Sequence, residues 1–114
     1  MAVTRGEIWS AAGGGDYTGK PRPVVILQDD RFEHVPSITV CPFTSDPTYA
    51  PSARLVVEPT ELNGLVAQSR LMVDKISTLP RTKLGARIGR LDDPDVARLN
   101  EAVLLFLGLA VPTA

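Results

Sequence analysis

One cysteine, one histidine and one tryptophan occur among the 114 residues, and aromatic side chains make up only 5% of the chain. The lone Cys41 cannot close an internal disulfide, and with His34 as its only soft partner it cannot complete a zinc site. No metal or other cofactor is expected. Long hydrophobic runs are scarce as well. The longest, Val103 to Val111, is about half of the roughly 20 residues that span a bilayer, and the opening Met-Ala-Val-Thr-Arg lacks an apolar targeting core. The expectation is a cytoplasmic protein with no membrane partner. Excess charge of either sign is also missing. The formal net charge is -1, so no global positive field marks a nucleic-acid binder.

The balance conceals segregation. Between Gln68 and Arg90 six cations (Arg70, Lys75, Arg81, Lys83, Arg87, Arg90) stand against one acid, Asp74, which leaves room for a local basic face. Nine glycines and ten prolines fall between short β-branched runs, the pattern of strands and turns in one domain over residues 1–114. The runs are Gly6 to Ser10, Pro23 to Leu27, Ser37 to Phe43, Ala53 to Val57 and Ser69 to Leu79, with Ala86 to Arg90 as a sixth. Val24-Val25-Ile26-Leu27 is apolar on both faces, which places it inside a strongly curved sheet or closed barrel. In Ser69 to Leu79, strand alternation puts Leu71 and Val73 on one face and Arg70, Met72 and Asp74 on the other. A helix is signalled only at the C-terminus, by Asp92 or Asp93 as N-cap, Pro94 in the first turn and Gly108 as the stop. Its apolar stripe of Val96, Leu99, Val103 and Phe106 or Leu107 requires cover from the sheet or a partner subunit.

The loop from Ala11 to Pro21 is glycine-rich and reads as a flap, but Lys20 leads into proline and a strand, so it is not a nucleotide-binding P-loop. Cys41 lies in an apolar strand and reads as a small core residue rather than a nucleophile. Three polar clusters sit at strand ends. Lys20-Pro21-Arg22-Pro23 aims a guanidinium, whose planar fork suits phosphate. Thr44 and Ser45 are paired hydroxyls that can donate to phosphate oxygens or cap a turn. Ser69 through Lys75 sets a carboxylate beside cations, as a surface salt bridge would.

In this order, Arg5-Gly6-Glu7-Ile8-Trp9, Gly19-Lys20-Pro21-Arg22-Pro23-Val24-Val25-Ile26, Pro42-Phe43-Thr44-Ser45, Asn63-Gly64-Leu65, Ser69 through Thr78 and Ile88-Gly89-Arg90-Leu91-Asp92 resemble the MazF/PemK (Kid) family of toxin endoribonucleases. The resemblance implies a mainly β, CcdB/PemK-like fold: an SH3-like, strongly bent barrel of five to six strands with short helices and a C-terminal α-helix, forming a homodimer. It implies the toxin of a type II toxin-antitoxin system, cutting single-stranded RNA without metal. The substrate 2′-hydroxyl attacks the adjacent phosphate to leave a 2′,3′-cyclic phosphate and a 5′-hydroxyl, so no protein nucleophile is required. The expected partners are the RNA and an antitoxin with a disordered, acidic tail.

By the same resemblance Arg22 matches the family's essential arginine, Thr44 its threonine after the third strand, and Asp74 the acid proposed as general base in the PemK branch. Lys20, Ser45, Ser69, Arg70 and Lys75, with Asp16 and Tyr17 in the flap, are expected to touch RNA; for Tyr17 the two readings are stacking on a base and pinning the flap to the body. One departure concerns the cation that the PemK branch carries two residues before its acid. Met72 stands there, which leaves Arg70, one pleat further off, or Arg22 alone. The competing reading is a CcdB-like toxin of similar fold that poisons DNA gyrase by binding and does no chemistry.

Overall fold

The computed structural model describes residues 2–12, 20–47 and 53–110. Seven antiparallel strands and one α-helix account for most of them: β1 (Glu7–Ala11), β2 (Arg22–Ile26), β3 (Ser37–Thr44), β4 (Arg54–Val57), β5 (Ser69–Met72), β6 (Ser77–Pro80), β7 (Leu84–Arg90) and α1 (Asp93–Phe106). The strands run in the order β4-β5-β3-β2-β1-β7, and β6 joins the first half of β3. Long β3 is the pivot. Its start pairs with β6 through Ser37↔Pro80 to Val40↔Ser77, whereas its end pairs with β5 through Phe43↔Leu71 and Thr44↔Arg70. The sheet therefore bends at β3 without closing, since among the described residues β4 and β7 remain its unpaired edges.

The apolar run in β2 follows from this position. Val25 belongs to a cluster with Ile8, Cys41, Phe43, Leu71, Val73 and Leu99 on the helix side, while Val24 and Ile26 join Trp9, Ile38, Val40 and Leu84 on the opposite face. A central strand covered on both faces has no reason to alternate. In contrast, the run from Ser69 to Leu79 is not one strand. A 3-10 turn at Val73–Lys75 divides it, because the Val73 amide donates to the Ala53 carbonyl at 3.0 Å and the Val73 side chain is fully buried in the helix-side cluster. Met72 and Val73 are thus both buried, and Asp74 leaves the strand alternation expected for it. This extra break, with the separate β6, gives seven strands in place of five to six.

Helix α1 starts as its sequence indicates: the Asp92 carboxylate accepts from the Asp95 amide at 2.8 Å, with Pro94 in the first turn. Leu99 is 2% exposed and Val96, Ala102 and Val103 pack on the core. The end of the stripe is different, since Phe106 and Leu107 remain half exposed. Gly108, at φ +73°, supplies the left-handed residue after the helix.

The Arg5-Gly6-Glu7-Ile8-Trp9 segment is architectural. Arg5 donates from Nε to the Leu27 carbonyl (2.8 Å) and from Nη2 to Asn100 Oδ1 (2.7 Å), which ties the end of β2 to α1. Glu7 accepts from Trp9 Nε1 and forms an ion pair with Arg87 at 2.7 Å.

Candidate active site

Arg22 opens β2, Thr44 ends β3 and Ser69 opens β5, so antiparallel pairing brings all three to one end of the sheet. The β2/β3 register runs Ile26↔Val40, Val25↔Cys41, Val24↔Pro42; continuing that register by two residues matches Arg22 with Thr44, and both line one cleft. Thr44 is in turn paired with Arg70 on β5. Directly opposed residues share a face, which makes Arg22, Thr44 and Arg70 a single row across three strands. Here the sequence places a guanidinium, a hydroxyl and a second guanidinium side by side.

A cleft of about 310 Å³ lies at this end, lined by Arg22, Pro23, Phe43, Thr44 and Ser45 on one side and by Gly64 to Ala67, Ser69 and Ile88 on the other. Thr44 Oγ1 accepts from the Asp46 amide at 3.2 Å, which orients the side chain while leaving its own proton to donate. Ser45 is exposed. Ser69 is 8% exposed and donates to the Ala67 carbonyl at 3.0 Å, so it holds the loop. Arg70 donates weakly from Nη1 to the Asp46 carbonyl (3.5 Å), and among the described residues its buried Nε has no hydrogen-bond partner. A buried guanidinium donor left unmatched is uncommon and calls for an acceptor.

The far wall of the cleft is built by residues the motif reading quoted but gave no role. Asn63, 3% exposed, accepts at Oδ1 from the amides of Thr60 (2.9 Å) and Leu65 (3.0 Å) and donates from Nδ2 to the Glu58 carbonyl (2.8 Å). Gly64 has φ +69°, and a Cβ there would stand 2.4 Å from the Ile88 carbonyl oxygen. A Cβ on Gly89 would come within 2.5 Å of the backbone of Leu62 and Asn63. The β4–β5 loop therefore lies flat on β7 only because both positions are glycine.

Asp74 is elsewhere. It sits in the 3-10 turn after β5, at the opposite end of that strand from Ser69 and Arg70, and does not line the cleft. Arg54 stands directly opposite Met72 in the β4/β5 register and grips Asp74 with two hydrogen bonds, Nε to Oδ1 at 2.7 Å and Nη2 to Oδ2 at 3.1 Å. The Arg54 guanidinium holds the Asp74 carboxyl below its ordinary value. Nothing local to Arg54 signals this pairing, since it precedes an ordinary apolar run and only the strand register brings it to Asp74. Lys75 is exposed in the same turn and Lys20 is exposed just before β2. Asp16 and Tyr17 lie outside the described residues.

The expected basic face is thinned by structural duties. Arg81 donates to the Val35 and Phe32 carbonyls and Arg87 is paired with Glu7. Cys41 is fully buried, and desolvation pushes its thiol up to about 12, so it is unreactive at neutral pH. Among the described residues no group of three His, Cys, Asp or Glu side chains converges in a way that could hold a metal ion, and no helix is long and apolar enough to cross a membrane.

Residues 4–107 match the model of the PemK-like, MazF-like toxin of type II toxin-antitoxin systems. The chain belongs to this family. It is 53% identical over 108 residues to the probable endoribonuclease MazF of Mycolicibacterium smegmatis, with 95% of this chain and 99% of that protein covered. It is 28% identical to endoribonuclease MazF9 of Mycobacterium tuberculosis, with 94% and 98% covered. Among solved structures, the M. tuberculosis toxin MazF-mt6 superposes with a TM-score of 0.76 at 28% identity, covering 92% of this chain and 99% of that one. A MazE-MazF structure from Deinococcus radiodurans superposes with a TM-score of 0.78 at 16% identity, covering 96% and 100%, and shows the shared MazF fold. The bent sheet with its C-terminal helix is thus the MazF fold.

Proposed function

We propose that the cleft at the β2/β3/β5 end is the RNA-cutting site of this MazF-family endoribonuclease toxin. One observation carries the assignment: Arg22, Thr44 and Ser45, all named from the sequence for phosphate, line the same cleft. In the proposed reaction the substrate 2′-hydroxyl attacks the neighbouring phosphorus, the bond to the 5′-oxygen breaks, and the products carry a 2′,3′-cyclic phosphate and a 5′-hydroxyl. Negative charge grows on the non-bridging oxygens as the transition state forms. Arg22 neutralises it and Thr44, with Ser45 beside it, donates a hydrogen bond, so these interactions strengthen in the transition state. Arg70, in the same row with its unmatched Nε, supplies a second cation to the RNA backbone, and Lys20 extends the positive edge. Asp74 is a poor general base where it stands, because Arg54 stabilises its ionised form and it does not line the cleft. In this reading it anchors the turn after β5, and Lys75 beside it does not reach the reacting phosphate.

The toxin acts in the cytoplasm on single-stranded RNA and is silenced by an antitoxin whose acidic tail covers the cationic row. Solved relatives include an endoribonuclease in complex with its cognate antitoxin from a mycobacterial species, at 20% identity. The exposed apolar end of α1, Leu104 to Leu107 and Leu109, supports the homodimer, since a second copy would cover it. The gyrase-binding alternative loses ground to the endoribonuclease relatives.

Incubation of the purified protein with mixed-sequence single-stranded RNA in excess EDTA tests the reading. Discrete fragments ending in a 2′,3′-cyclic phosphate are expected, and gyrase supercoiling in a parallel assay should continue unimpaired. Fragments ending in a 3′-hydroxyl, or cleavage abolished by EDTA, would overturn the mechanism.

A further inference from the structure

The two walls of the cleft differ in chemistry. One presents Arg22, Thr44 and Ser45 beside Pro23 and Phe43; the other presents Leu65, Val66, Ala67 and Ile88, whose side chains cannot form hydrogen bonds, and Ser69, whose hydroxyl is engaged by the Ala67 carbonyl. Val66 is 101% exposed and Ile88 36%. An exposed valine on a slack loop would mean little, but the stretch leading into Val66 is held. Asn63 satisfies three backbone groups beneath it, the Gly64 amide donates to the Thr60 carbonyl at 3.0 Å, and the Arg90 amide donates to the Leu62 carbonyl at 3.0 Å. Gly64 and Gly89 remove every Cβ that would lift it from β7. The fold thus keeps a bare aliphatic side chain in water, at the rim of a site that handles phosphate.

We infer that Val66, with Leu65 and Ile88, forms a base-packing wall that receives the face of the nucleobase attached to the phosphate held by Arg22 and Thr44. The inference rests on the assignment of the cleft as the RNA-cutting site. A nucleotide offers the same two surfaces as the cleft, an anionic phosphate and a flat, largely apolar ring joined by one sugar. A cleft of about 310 Å³ is at the small end of ligand sites, suited to one such unit. Unpaired bases splay from single-stranded RNA and pack on apolar or aromatic surfaces, which is how such strands are read. With its one side-chain hydroxyl, on Ser69, already donating to the Ala67 carbonyl, this wall discriminates by ring size and shape. Because the loop is already in place, little ordering is required on binding.

The test uses Val66→Asp, which leaves the fold intact because that side chain touches no core, and Val66→Ile, which enlarges the apolar surface. Cleavage of a mixed-sequence single-stranded RNA is followed by kinetics and by sequencing of fragment ends, with Arg22→Ala alongside. Val66→Asp is expected to lower kcat/KM roughly tenfold, mostly through KM, and to relax the base preference at one position flanking the cut, while Val66→Ile keeps the tight KM. Wild-type KM and an unchanged cut-site profile for Val66→Asp, with cleavage still lost in Arg22→Ala, would overturn the wall and leave the cleft assignment standing. Loss of antitoxin binding alone in Val66→Asp would assign the wall to the protein partner and equally overturn the inference. Undiminished cleavage by Arg22→Ala would remove the cleft assignment and the wall together.

Discussion

A guanidinium stands at each end of β5, and the two are put to opposite uses. At the Ser69 end, Arg70 has a buried Nε with no partner among the described residues and is paired with Thr44, which lines an open cleft with Arg22. At the Met72 end, Arg54 is 10% exposed and spends two hydrogen bonds on Asp74. A guanidinium already matched to a carboxylate has little left for a phosphate. Among the described residues the first end leaves a buried donor unmatched, and the second matches its guanidinium to a carboxylate.

Substitutions at the cleft end break this contrast most severely. Arg22→Ala and Thr44→Val should each slow single-turnover RNA cleavage by about 10²-fold or more, the effect of removing a transition-state donor. The double variant should lose less than the product of the two, because both groups act on one phosphate. Circular dichroism should be unchanged, since Arg22 is exposed at the start of its strand.

The far wall is tested by Gly89→Ala. Its Cβ would press on the backbone of Leu62 and Asn63, so thermal unfolding should show a loss of about 2 kcal/mol or more, with weaker RNA binding as the β4–β5 loop is displaced.

At the Asp74 end the expected phenotype is in stability. Arg54→Ala should cost about 2 kcal/mol, toward the lower side for a broken pair because Asp74 is 30% exposed and can rehydrate. The Asp74 carboxyl lies below its ordinary value because of Arg54. Its stabilising contribution is therefore complete above the ordinary carboxylate range and disappears as the pH falls through the depressed folded value. Unfolding midpoints measured downward from about pH 4 should fall less steeply in Asp74→Asn than in the wild type.

Cys41 gives the smallest effect. Cys41→Ala should cost about 1 kcal/mol and leave cleavage unchanged, and iodoacetamide should not label the native thiol at neutral pH.

Much of this arrangement was legible in the chain because it is written in local chemistry. The Asp92-Asp93-Pro94 start of α1, the two-faced apolar run of β2 and the strand-end positions of Arg22 and Thr44 all depend on neighbouring residues. The departure of Asp74 from the strand alternation has a tertiary origin. Ser69 to Leu79 carries no glycine and no proline before Pro80, and nothing within it reveals that the Val73 amide will turn toward Ala53. Arg54 was invisible for the same reason, as its meaning lies in a cross-strand register with Met72. Asn63, Gly64 and Gly89 were visible as a motif, but their role depends on contact between a loop and a distant strand. The end of α1 was expected to be covered, and within one chain it is not.

The central claim is that chemistry belongs to the Arg22 end of the sheet and not to the Asp74 end. Single-turnover cleavage of one RNA by Arg22→Ala and Asp74→Asn, both confirmed as folded at the assay temperature, compares them most directly. The account predicts that Arg22→Ala falls by about 10²-fold or more while Asp74→Asn stays within a few-fold of the wild type. Equal or greater loss in Asp74→Asn, with its folding intact, would contradict it.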